Sequence, residues 1–411
     1  MQISAFEDLP PELLIKILEI IQDRGTLKAL VLSSHACYRV YCTYRDKLLC
    51  SFAANLWGDL LAEAVYVCES EKLLEYRTAT QQKAIVTNEV VELLDRWRYY
   101  RETAKPAEQD APTKASDALR LLDLHKEMTY FVQGFSKHNK RPRYVNPHQW
   151  QKVQFPVVLS STEEHRLLRA LCRLQLHSNV FAKAPSRSER PFDRYALCSQ
   201  EVWRLFFATM PPWEYEEMGS VWAYLQTEFD PVLYKIRHEF REHGDELFKD
   251  LPEGRRALLG PVYSQGLKLY KSDIDRLTFL SLGPTFLHLA FHARLNIRCS
   301  MLLVNSRYEH ESWIGHNLNI SWEEQVPLKY PADQYNAIEN FEQLLTLTSS
   351  NSSTRKPNAA WTGRAMGRLK RTQNFKKAFV TTQSRPQPGD WDWGYAIWDD
   401  ERLEEWRVHF K

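Results

Sequence analysis

Apolar residues recur at helical spacing along nearly the whole of this chain, and little glycine interrupts them. Only 14 Gly stand among 411 residues, whereas propeller blades and tight barrels need Gly at their many turns. Abundant Leu, Glu and Arg favour helix in most local windows. The chain carries no internal repeat of fixed period, which argues against a propeller or a leucine-rich array after residue 50. The expected fold class is therefore mainly α: a three-helix N-terminal unit followed by a large irregular all-helical domain.

The clearest helix covers residues 10–22. Pro10 and Pro11 sit where a first turn tolerates proline, because those N–H groups lack partners anyway. Leu13, Leu14, Ile17, Leu18, Ile20 and Ile21 cover an arc of roughly 160° at 100° per residue, with Glu12, Lys16 and Glu19 opposite. That stripe is wider than one helix–helix seam requires. Gly25 follows, then a short helix from about Leu27 to Ser33 and another from about His35 to Leu49.

Residues 51–102 read as two or three helices, with Leu73, Leu74, Val90, Leu93, Leu94 and Trp97 at helical spacing. Residues 103–116, 137–152 and 183–194 read as loops, and 348–359 as a low-complexity segment. Between them, Ser160 to Glu164 opens a helix lined on one side by Leu167, Leu168, Leu171, Leu174 and Val180. Val202 to Phe248 is helical with an interruption at Met210–Trp213, and Ile274 to Leu303 forms two helices split at Gly283-Pro284.

The net charge is +2, so no polyelectrolyte partner is written into the whole chain. Seven cysteines, an odd number without a CxxC pair, read as reduced thiols of the cytoplasm or nucleus. Met1 to Asp8 lack the basic and apolar regions of a signal peptide. No uncharged apolar run approaches the ~18 residues of a membrane span, so no membrane association is expected. There is no P-loop, no GxGxxG and no GxSxG; catalytic residues and cofactors are expected to be absent. His288 and His292 have the i, i+4 spacing of a chelating pair, with Cys299 as the nearest third ligand. Packed or surface histidines are the expectation, with no metal site.

Leu9-Pro10-Pro11-Glu12-Leu13-Leu14-Ile15-Lys16-Ile17-Leu18-Glu19-Ile20-Ile21 resembles the opening of an F-box: Leu-Pro, a spacer, Glu, two apolar residues, two spacers, Ile-Leu. Leu27, Leu30, Leu32 and Ser33-Ser34 are similar to its second half. Many F-boxes carry Trp in the third helix; here Tyr38 stands nearest that position. Four further blocks resemble a large group of F-box proteins from filamentous fungi: Glu163 to Leu174, Pro212 to Leu225, Leu277 to Leu289 and Trp393 to Asp399.

The resemblance implies an adaptor of an SCF-type ubiquitin ligase. Its F-box would pack on the Skp adaptor, which tethers a cullin scaffold, while the helical remainder recruits an unknown protein substrate. It implies Skp contacts from Leu9, Pro10, Leu13, Leu14, Ile17, Leu18, Ile21, Leu30 and Tyr38. A unit of ~40 residues is near the lower limit of independent stability, and gains by burying its excess apolar face on a partner. On this reading residues 5–50 are the F-box and 51–347 the helical recognition domain. Residues 348–389 are a basic, partly flexible segment. Residues 390–411 are an acidic, Trp-rich segment packing back on the helical domain.

Two other readings use different features. An F-box protein can act outside a ligase as a structural or regulatory partner. Residues 355–385 hold nine Lys and Arg and no acid, with Trp361 and Phe375 interleaved, a pattern that nuclear or nucleic-acid-associated proteins use. The simpler expectation is a solvated loop that complements the acidic tail, without nucleic acid. The blocks Trp213–Trp222 and Trp391–Trp406 are expected to fill a core rather than form a recognition surface.

Overall fold

The computed structural model describes residues 7–21, 24–79, 83–103, 111–137, 140–142, 145–181, 205–247, 279–305, 356–372 and 391–406, with a few single positions between them. Among the described residues there is no strand, and the fold is mainly α. The expected loops at 183–194 and 348–355, residues 104–110 of the expected loop 103–116, and Leu74 as a core side chain lie outside the described residues.

Three helices open the chain: α1 (Pro11–Glu19), α2 (Arg24–Ser33) and α3 (His35–Trp57). Pro10 caps α1 and Pro11 fills its first turn. Ser34 caps α3, its hydroxyl accepting from the Cys37 N–H at 3.1 Å. Glu7 reaches the same helix end and accepts from the Ala36 N–H at 2.9 Å. Hydrogen bonds from Ser34 and Ala36 hold its carboxyl below the usual carboxylate range. At the far end, Asn55 donates to the Glu19 carbonyl at 3.2 Å and Lys47 pairs with Glu19 at 3.1 Å. These ties make α1 run beside α3 in the same direction.

Nor does α3 stop near Leu49. It bends at Tyr44, with φ −113° and ψ 23°, and continues to Trp57, where Gly58 at φ 50° ends it. The expected boundary at residue 50 thus falls inside a helix. Next come α4 (Leu61–Ala79), α5 (Lys83–Thr103) and α6 (Ala115–Lys137). Asp46 of α3 accepts the first N–H of α6, from Ala115, at 2.8 Å. The expected loop 137–152 contains a short helix, α7 (Pro147–Trp150), capped by Asn146.

The axis of the fold is α8 (Ser161–Phe181). It opens on a capping box: the Ser160 hydroxyl accepts from the Glu163 N–H at 3.1 Å, and Glu163 accepts from the Ser160 N–H at 3.0 Å. Its sequence suggests one apolar side, yet every residue from Arg166 to Phe181 is buried. It packs against α4, α6, α9 (Pro212–Leu247) and α10 (Pro284–His292). The remaining helices are α11 (Leu295–Asn305), α12 (Ala359–Thr372) and α13 (Asp400–Glu405).

Burying α8 on all sides forces its arginines to find carboxylates. Arg173 donates to Glu63 of α4 through Nε at 2.9 Å and Nη2 at 2.7 Å, and to Glu214 of α9 at 2.6 Å. Arg169 forks onto Glu217 at 3.0 and 2.7 Å. Arg166 donates to Asp399 and to the Ile397 carbonyl, each at 2.9 Å. Trp97 of α5 donates to the second Glu63 oxygen at 2.7 Å. One turn apart, the three guanidinium groups tie α8 to α4, α9 and the C-terminal residues.

Those C-terminal residues clamp the start of α8. Glu163 accepts from Arg402 at 2.6 and 2.7 Å and from the Asp399 N–H at 3.1 Å. Trp213, Trp222, Trp391, Trp393, Trp398 and Trp406 are all buried, so the tryptophan blocks fill the core. Part of the expected basic loop is in fact α12. Asn358 caps it, accepting from the Trp361 N–H at 2.9 Å while donating to the Tyr395 and Trp398 carbonyls at 2.6 and 2.9 Å. Trp361 is buried edge-on against Trp213, centroids 5.3 Å apart. Counting charges hid this helix, because its anchors are one Asn and one Trp.

By composition alone His35–Leu73, across α3 and α4, is long and apolar enough to cross a membrane. In the fold half of its most apolar window is buried, α3 and α4 pack on α6 and α8, and Glu63 within it holds Arg173.

Removing one partner of a buried ion pair strands the other charge, at a cost of about 3–5 kcal/mol. Arg173→Met should therefore lower the chemical-denaturation stability by that amount, and a variant as stable as the wild type would show that the pair contributes nothing. His177 sits among Phe181, Phe206 and Phe207, and burial pushes its imidazole down from 6.5 to about 3. The unfolded chain takes that proton first, so this residue removes stability as pH falls from about 6.5 towards 3. His177→Phe should make the denaturation midpoint fall less between about pH 7 and pH 5 than it does in the wild type.

Candidate functional site

The α1 stripe divides along its length. Leu14 and Leu18, four residues apart, are 2% and 1% exposed and pack into the core. Each contributes about 1.5–3 kcal/mol of burial. Both were expected among the partner contacts; in the fold they hold α1 on its own domain. The neighbouring edge stays open. Leu13 is 45% and Ile20 is 74% exposed, and Ile17 between them is half-buried. At 100° per residue these three lie within about 60° of one another, one ridge beside the buried edge.

The other expected contacts sit around this ridge in different states. Pro10 is exposed at the α1 cap. Leu9, Ile21 and Leu30 are half-buried and pack on the core, so truncating them also perturbs the fold. Tyr38 is 49% exposed on α3, where a hydrogen bond with Cys42 raises its phenol above the ordinary value. Three exposed large apolar residues of these helices were not among the expected contacts: Ile20, Leu32 on α2, 69% exposed, and Tyr44 on α3, 41% exposed. The signal for Ile20 was present, since it lies seven residues after Leu13 on the same helical face.

The histidine pair has a different surrounding. The His288 and His292 rings are 4.2 Å apart, and His292 Nδ1 lies 2.8 Å from the His288 carbonyl. Both rings meet Tyr130 edge-on, at 5.2 and 4.7 Å. Burial, with His292 and Lys126 nearby, pushes His288 down to about 4. His288 Nδ1 is buried without a partner, whereas a ligating imidazole normally has its second nitrogen held by an acceptor. Among the described residues no three His, Cys, Asp or Glu side chains converge on a point that could hold a metal. Cys37, Cys42, Cys50, Cys68, Cys172 and Cys299 are free thiols; burial pushes Cys68 and Cys299 up to about 12.

Comparison with protein-family models, with curated proteins and with solved structures finds no match to this chain.

The divided stripe separates stability from surface chemistry. Leu18→Ala should cost about 2–5 kcal/mol of folding stability. Leu13→Ala and Ile20→Ala should each change it by no more than about 0.5 kcal/mol. Urea denaturation of the three variants checks the division; an equal loss in all three would show that the ridge is core.

Proposed function

We propose that this chain is an F-box-type adaptor. Its N-terminal helices dock on the Skp subunit of an SCF-type ubiquitin ligase, and its helical body recruits a protein substrate. It works without a catalytic group of its own, in the cytoplasm or nucleus. The observation that carries the reading is the uncovered ridge of Leu13, Ile17 and Ile20 next to the buried Leu14 and Leu18. Exposed apolar side chains grouped on one helix face favour a protein partner.

Three side chains are too few for a stable interface, which needs about 800 Å² from each partner. Pro10 at the start of α1, Leu32 on α2 and Tyr38 on α3 supply further exposed surface in the same unit. Glu12 and Lys16, exposed beside the ridge, belong to its polar rim and contribute less, because exposed charges are screened.

The test is a binding measurement between full-length protein and purified Skp adaptor. Leu13→Ala with Ile20→Ala should weaken binding about thirtyfold, corresponding to about 2 kcal/mol for a lost anchor, with the melting curve unchanged. Glu12→Gln should bind nearly as the wild type does. Wild-type protein that does not bind at micromolar concentrations, or a double variant that binds normally, would overturn the reading. Cullin in the same purified complex separates a ligase adaptor from an F-box protein acting alone.

A further inference from the structure

The inner face of α5 is committed to the core: Val90, Leu93, Leu94, Trp97 and Tyr100 are buried, and the helix packs on α4. Its outer face is shaped differently. Asn88, Glu92, Asp95 and Tyr99 recur at i, i+4, i+7 and i+11, so they form one stripe. Together with Val91, Arg96 and Tyr100 they line an open groove of about 500 Å³.

The chemistry of that stripe is one-signed. Glu92 and Asp95 are exposed, one turn apart, and make no ion pair or hydrogen bond among the described residues. Arg96, the cation that also lines the groove, is engaged on its flank: it pairs with Glu69 at 3.3 Å and lies 5.9 Å over the Tyr66 ring. Tyr99 is 61% exposed, and its ring meets that of buried Tyr100 at 6.0 Å with an interplanar angle of 73°. An exposed tyrosine beside two unpaired carboxylates is a surface that attracts cations carrying an apolar stem.

We infer that this groove docks an extended basic segment of a partner protein, about five residues long. The stripe from Asn88 to Tyr99 rises roughly 16 Å along the helix, at about 1.5 Å per residue. An extended chain advances about 3.3 Å per residue and points alternate side chains the same way. One Lys or Arg sits between the Glu92 and Asp95 carboxylates, and a second, two positions along, lies against the Tyr99 ring. The inference does not depend on the adaptor reading. Where that reading also holds, the segment belongs to the recruited substrate, since α1 and α5 present separate surfaces.

Fluorescence anisotropy tests it on the full-length protein, with a labelled heptapeptide carrying Lys or Arg at alternate positions. A control peptide carries Gln at those positions. The basic peptide should bind at low ionic strength and lose affinity as salt shortens the Debye length. E92Q with D95N should weaken it about tenfold and Tyr99→Ala about threefold. Glu401→Gln with Glu404→Gln, exposed acids of α13, should leave it unchanged. Equal binding of the Gln peptide, full binding by E92Q with D95N, or equal weakening by the α13 pair would each overturn the groove. The E92Q with D95N protein should still bind the Skp adaptor, so the failure of one proposal is distinguishable from the failure of the other.

Discussion

Everything in this fold depends on how the charges of α8 are satisfied. A helix buried on every side normally carries apolar residues all round, yet this one carries Arg166, Arg169 and Arg173. Each needs a carboxylate at hydrogen-bond distance, because an unpaired charge in the interior is far costlier than an unpaired one at the surface. Glu63, Glu214, Glu217 and Asp399 meet that need from three separate parts of the chain. Apolar contacts alone would let α4 and α9 slide along α8 by a turn. The forked pairs penalise every register but one.

The N-terminal unit is tied to this axis through α3, beyond its bend at Tyr44. Its third helix passes beyond the expected boundary and ends at Trp57, whose indole donates to the Leu121 carbonyl of α6 at 3.0 Å. Trp57 also meets His125 of α6 edge-on at 5.0 Å. The open ridge on α1 therefore has a fixed orientation relative to α6 and α8. Whatever sits on that ridge is held at a set angle to the helical body.

The pattern of apolar residues made the helices legible, and the reasons are visible at single positions. Pro10, Ser34 and Ser160 mark helix starts because their local chemistry is short-range. The wide stripe of α1 announced two tasks, but periodicity alone could not say which edge was which: Leu14 and Leu13 are adjacent in sequence and differ only in which neighbour covers them. The pairing of the α8 arginines was not legible because their partners lie up to 233 residues away, beyond any local window. Asn358 likewise looks like loop composition until Tyr395 and Trp398 stand next to it. Long-range polar pairing is what the sequence pattern conceals.

The clamp of the C-terminal residues on α8 has a consequence in time. Arg166 waits for Asp399 and the Ile397 carbonyl, 233 and 231 residues later. At translation rates of about 5–20 residues per second, that interval is on the order of ten to fifty seconds. Throughout it the nascent chain holds a guanidinium and a capping-box glutamate, Glu163, whose intended partners have not left the ribosome. The core facing Trp391 and Trp398 stays uncovered for the same period. Such a chain completes the polar contacts of α8 only after residues 391–406 are made.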